Sequence, residues 1–88
     1  MYYTYVLRSK KDRKNYTGWT IDIDRRLKEH NAGSNLSTKH RGPFEIIYYE
    51  ACLNGDDARQ REKYLKSGMG KRYLTHRLRE WATYGASP

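Results

Sequence analysis

The chain opens on an alternating pattern. From Tyr2 to Arg8, Tyr3, Tyr5 and Leu7 fall on one face and Tyr2, Thr4 and Val6 on the other. Both faces carry bulky groups, which predicts a strand covered on both sides. The segment SKKDRK is polar and predicts a turn. The economical connection is a hairpin into a second strand, Asn15 to Trp19, which brings Tyr5 and Tyr16 into neighbouring strands. Gly18 interrupts that strand, where backbone bends or is closely approached. From Asp22 the period lengthens to that of a helix. Ile23 and Leu27 define its buried stripe, His30 lies on the inner edge and Arg26 flanks it, while Arg25 and Lys28 point away. Thr20 and Asp22 are candidate N-caps, Asp24 adds negative charge to the first turn, and Gly33 suits the C-terminal end.

Ser34 to Pro43 (SNLSTKHRGP) reads as a loop, and Phe44 to Glu50 (FEIIYYE) as a third strand with apolar groups on both faces. Asn54, Asp56 or Asp57 can cap a second helix running to about Ser67. Gly68 and Gly70 then punctuate the chain. A last helix is expected from about Lys71 to Thr83, with Leu74, Leu78 and Trp81 as its stripe and Arg72, Arg77 and Arg79 as its basic side. The order is ββαβαα. The expected layout is one domain over residues 1–84 and a frayed tail over 85–88.

Composition narrows the classes. The 88 residues allow one small domain. The lone cysteine, Cys52, cannot form an internal disulfide, so the fold rests on packing in a reducing compartment, and its half-apolar surroundings predict a buried side chain. The N-terminus lacks the basic-then-apolar layout of a secretory signal, and no apolar run approaches the ~18 residues of a membrane span. A cytoplasmic protein with no membrane partner is expected. The net charge of +8 favours polyanions, with salt-dependent binding. Charge does not distinguish DNA, RNA or an acidic lipid surface. Nine tyrosines offer stacking surfaces beside it.

Chemistry concentrates in a few positions. Tyr16, Arg26 and His30 share one edge of a strand–helix unit, with Arg26 and His30 an i, i+4 pair. The bland alternative is an ordinary flanking Arg and a satisfied, half-buried imidazole. Ala58, Glu62 and Leu65 follow at i, i+4 and i+7, so Glu62 sits on the apolar stripe. A carboxylate there is costly unless it is paired, with Arg26 as the expected partner, or serves a metal or catalysis. The loop with Thr38, Lys39, His40 and Arg41 can hold phosphate or be a solvated connector. No glycine-rich phosphate loop is present.

These residues resemble a family. Tyr3-Thr4-Tyr5 followed by Tyr16-Thr17-Gly18 is similar to the paired GIY and YIG signatures of the GIY-YIG nuclease superfamily. Arg26 matches its arginine ten residues after the second tyrosine, His30 its histidine one turn later, and Glu62 the carboxylate of the second long helix. The resemblance runs from about Tyr2 to Trp81, and DRRLKEHNAG, GPFEIIYYE and DARQREKYLKSG look close to small single-domain bacterial members. It implies an α+β domain in α/β/α layers, with a three-stranded, mainly antiparallel sheet flanked by helices. It also implies endonuclease hydrolysis of phosphodiesters, DNA expected, in repair or recombination, with a divalent cation, Mg²⁺ expected and Mn²⁺ an alternative. No further cofactor is implied.

The resemblance also assigns roles. Glu62 anchors the cation and Arg26 grips the scissile phosphate. Tyr5 serves as base to the attacking water, its pKa lowered from near 10 by neighbouring cations. Tyr16 shares its network, with the two roles open to exchange, and His30 orients or relays a proton. Lys14, Thr38, Lys39 and Arg41 are candidate backbone contacts. Two departures stand out: Tyr3 and Thr4 replace Gly and Ile, and no Asn follows Asn54. They leave open a catalytically weak or inactive nucleic-acid-binding accessory module of the same fold, with a protein partner supplying specificity. A small basic scaffold for a ribonucleoprotein is a third reading.

Overall fold

The computed structural model describes residues 1–82. Its elements are β1 (Tyr2–Ser9), β2 (Asn15–Thr20), α1 (Ile23–Asn31), β3 (Phe44–Cys52), α2 (Gly55–Lys66) and α3 (Gly68–Arg77). The order ββαβαα is the one expected. The sheet runs β2-β1-β3, antiparallel throughout, with β1 at its centre.

The two faces of β1 organise two cores. Tyr5, Leu7 and Phe44 pack with Tyr16, Ile46 and the α1 residues Ile23 and Leu27. Val6 packs on the other side against Leu65 of α2 and Leu74 of α3. A bulge between Val6 and Leu7 shifts the pairing, so that Val6 faces Tyr48 and Leu7 faces Ile46. Two consecutive residues, Ile47 and Tyr48, therefore join the same core.

Local chemistry fixes the helix ends. The Asp22 carboxylate accepts from the Arg25 N–H, and Asn54 from Asp56 and Asp57. Ala32 caps the end of α1, with Gly33 just beyond it at φ 79°. The side chain of Asn31 pins the start of β3, accepting the Phe44 N–H at 2.6 Å and donating to its carbonyl at 3.3 Å.

The last helix departs from expectation. It begins at Gly68, with Ser67 both ending α2 and capping α3. Gly70 lies inside its first turn, where a Cβ would stand 1.9 Å from the Tyr64 carbonyl oxygen. The glycine therefore lets two helices touch rather than ending one. The regular helix ends at Arg77 with Leu78 as its cap, and a further helical turn runs over 79–82, with the Ala82 N–H bonded to the Leu78 carbonyl. The expected Thr83 terminus and the tail lie outside the described residues. Cys52, expected to be buried, is partly exposed, and its Sγ lies 3.2 Å from the Asn54 carbonyl oxygen.

Candidate active site

The hairpin brings Tyr5 and Tyr16 together as the sequence suggested. Leu7 pairs with Tyr16 and Tyr5 with Gly18, and the two tyrosine rings lie 6.4 Å apart. Gly18 supplies the space. A Cβ there would meet the Tyr5 Oη at 2.6 Å and the Tyr16 ring at 3.2 Å. The last turn of α1 delivers His30, whose ring lies 4.7 Å from that of Tyr16.

A buried polar chain links strand, helix and loop. The Tyr5 Oη and His30 Nε2 are 3.0 Å apart, and the His30 Nδ1 and Thr38 Oγ1 are 2.8 Å apart. The Thr38 hydroxyl also lies 3.4 Å from the Asn35 carbonyl. Thr38 is 0% exposed. Its expected contact with a nucleic-acid backbone is therefore corrected: it holds the imidazole from behind.

Burial sets the protonation of this chain. It pushes the Tyr5 phenol up to about 12, and hydrogen bonding and charge from Arg26 only partly oppose it. The expected lowering of Tyr5 is thus overturned, because desolvation outweighs the guanidinium. The charge of Glu62 adds to the rise, which puts that carboxylate within electrostatic reach of the phenol. Burial, reinforced by the Arg26 charge, pulls His30 down to about 4. His30 is neutral at neutral pH.

The two charged candidates have partners of their own. Arg26 Nη1 binds Glu29 Oε1 at 2.9 Å, while Glu62 Oε2 binds Lys66 at 2.9 Å. The expected Glu62–Arg26 pair is not formed. An i, i+4 Glu–Lys spacing is the signal that names Lys66 instead. Arg41 is committed to Asp12 at 2.7 Å and stacks over Phe44, tying the loop to the hairpin turn. Lys14 and Lys39 are exposed. Among the described residues, no three His, Cys, Asp or Glu side chains converge as a metal cage. The donor available here is one carboxylate, Glu62, whose side chain is 20% exposed. A lone carboxylate fits a hard cation that keeps its water and takes phosphate oxygens as further ligands.

The departures at Tyr3 and Thr4 are absorbed structurally. Thr4 Oγ1 donates to the Ala58 carbonyl at 2.9 Å, and Tyr3 packs edge-on against Tyr49.

The comparisons with known proteins bear on the family and the fold. The model of the GIY-YIG catalytic domain matches residues 1–74, and the chain belongs to this nuclease family. Within it, the chain is similar to proteins designated UPF0213. One from Clostridium perfringens is 42% identical over 67 residues, covering 75% of this chain and 71% of the relative. Another from Bacillus licheniformis is 37% identical over 87 residues, covering 94% and 89%. The solution NMR structure of a UPF0213 protein from Bacillus halodurans is 36% identical, with a TM-score of 0.52, and the match covers 86% of this chain and 84% of that one. No helix among the described residues is long and apolar enough to cross a membrane.

Proposed function

We propose that the protein is a metal-dependent endonuclease acting on DNA, with its site at the β2 edge of the sheet. The observation that carries this reading is the convergence on the Tyr5 phenol of Arg26 and His30 from α1, Tyr16 from β2 and Glu62 from α2. A phosphodiester is anionic and repels a nucleophile, so a site must offer positive charge and a positioned base.

Arg26 grips the scissile phosphate. Its side chain is 32% exposed, and Glu29 holds it from its own helix. Glu62 holds the cation, which when bound supplies charge against the negative charge that develops. His30 positions Tyr5 and does not relay its proton: with the phenol at about 12 and the imidazole at about 4, transfer between them is strongly unfavourable. The base role moves to Tyr16. What supports this is access, since Tyr5 is 2% exposed whereas Tyr16 is half-buried and borders an open cleft. Tyr5 then fixes the network behind it. Lys14 and Lys39 contact the nucleic-acid backbone.

The test is a cleavage assay at low salt with Mg²⁺ or Mn²⁺ on duplex, single-stranded and flapped DNA and on RNA, with Glu62→Ala beside the wild type. Metal-dependent cutting that disappears in the variant is expected. Binding without cutting on any substrate would contradict the reading and favour the accessory module.

A further inference from the structure

A cleft of about 790 Å³ lies between β2, the hairpin turn and the α2–α3 pair. Its size falls within the usual range for sites that enclose a small molecule. Arg8, Arg13, Lys14, Lys66 and Lys71 line it, and among the described residues no Asp or Glu joins them. Leu78 and Trp81 give it an apolar component above the buried Leu65 and Leu74, and the Arg8 guanidinium stands 5.7 Å from the centroid of the Trp81 ring.

The cleft is continuous with the candidate active site. Tyr16 belongs to both, and Lys66 lines the cleft while binding Glu62. On the other side it meets a second cleft of about 450 Å³, lined by Lys71, Arg72, Thr75, His76 and Arg79. Lys71 and Thr75 are common to the two. A cationic track thus leads from the site across α3.

We infer that the first cleft is a subsite for one unstacked nucleotide beside the scissile phosphate, so that the enzyme favours strands in which a base can swing free. This rests on the nuclease reading for the position of the scissile phosphate. The chemistry is that of single-strand recognition, where cations follow the phosphates and an aromatic or apolar surface receives a base face. A paired base within a duplex has both faces covered by its neighbours. It can offer phosphates to the rim but no face to Trp81. A purely electrostatic duplex surface needs no apolar floor.

The chain has two tryptophans, Trp19 and Trp81, so Trp19→Phe leaves Trp81 as the sole indole reporter. Its fluorescence is titrated with a single-stranded oligonucleotide, the matching blunt duplex, a duplex carrying a one-nucleotide gap, and the single strand with an abasic position. Quenching by the single strand and the gapped duplex is expected, with affinity about tenfold above the blunt duplex. The abasic strand, scanned through its positions, loses the quench at one register. Lys71→Glu, an exposed change that spares the core, weakens single-strand binding about tenfold and duplex binding far less. Equal affinity for all four ligands, with Trp81 unaffected, would overturn the subsite. The nuclease reading is scored separately by cleavage: cutting without a Trp81 response removes the subsite alone, and a Trp81 response without cutting removes the nuclease alone.

Discussion

Two tyrosine–arginine clusters lie on opposite faces of the sheet, and their arginines are almost equally exposed, 32% for Arg26 and 33% for Arg61. In the Arg61 cluster, Tyr48 donates to Glu50 at 2.7 Å and meets the Tyr73 hydroxyl at 3.0 Å. Arg61 Nε donates to both Glu50 oxygens, at 2.9 and 3.0 Å, and its guanidinium lies 4.9 Å from the ring centroids of Tyr64 and Tyr73. Positive and negative charge neutralise each other inside the cluster. In the other cluster each charge is paired locally along its own helix. Arg26 is held by Glu29 and Glu62 by Lys66, leaving the two site charges unpaired with each other. Exposure does not separate Arg61 from Arg26, the arginine proposed to grip the phosphate. What separates them is how the partner is held: Arg61 reaches from α2 to both oxygens of Glu50 on β3 beside two tyrosine rings, whereas Arg26 meets one oxygen of Glu29 on its own helix. Burial raises the pKa of a tyrosine in both clusters, so a raised phenol is no mark of function either.

Breaking the site's chemistry gives the largest effect. Tyr16→Phe should lower the cleavage rate by roughly 100- to 10,000-fold, the usual weight of a general base. Tyr5→Phe should cost less, and rapid-mixing kinetics on one substrate compare the two. Loss confined to Tyr5→Phe would return the base role to Tyr5.

Acid comes next. The folded-state pKa of His30 is depressed from its ordinary 6.5 to about 4. Its contribution is present above 6.5 and is lost as pH falls through about 4, because the unfolded chain takes up the proton first. Thermal melts should show a decline on the order of 3 kcal/mol across that window. His30→Gln should flatten it, while Tyr48→Phe in the paired cluster should leave its slope unchanged.

Gly18→Ala brings a Cβ against the Tyr5 phenol, and denaturant titration should register a loss of about 1–3 kcal/mol. The smallest effect is Thr38→Val, which removes the partner of His30 Nδ1 at about 1 kcal/mol by the same measurement.

Periodicity made much of this legible. The alternation in Tyr2–Arg8 separates the two cores correctly, and the helical spacing of Arg26 and His30 puts both on the side of α1 that meets Tyr5. The first turn of α3 was hidden because glycine locally argues against helix, while the need for Gly70 is a contact with α2. The Thr38 backing of His30 depends on a loop path that no period encodes. The Tyr48–Glu50–Arg61–Tyr73 cluster joins three elements across a bulge, so its members share no spacing in the chain. The Lys66 partner of Glu62 was visible as an i, i+4 pair.

The contrast between the two clusters is tested most directly by Arg26→Ala and Arg61→Ala, each measured for cleavage and for stability. Arg26→Ala should cut the cleavage rate about 100- to 1,000-fold. It should change stability by no more than about 1 kcal/mol, since a rim ion pair with Glu29 is lost and the Tyr5 phenol keeps His30 as its partner. Arg61→Ala should cost about 1–3 kcal/mol of stability by leaving Glu50 without its cation and with only the Tyr48 hydroxyl as donor. Its folded fraction should cut at the wild-type rate. Cleavage that survives in Arg26→Ala, or fails in folded Arg61→Ala, would contradict the assignment of the active site.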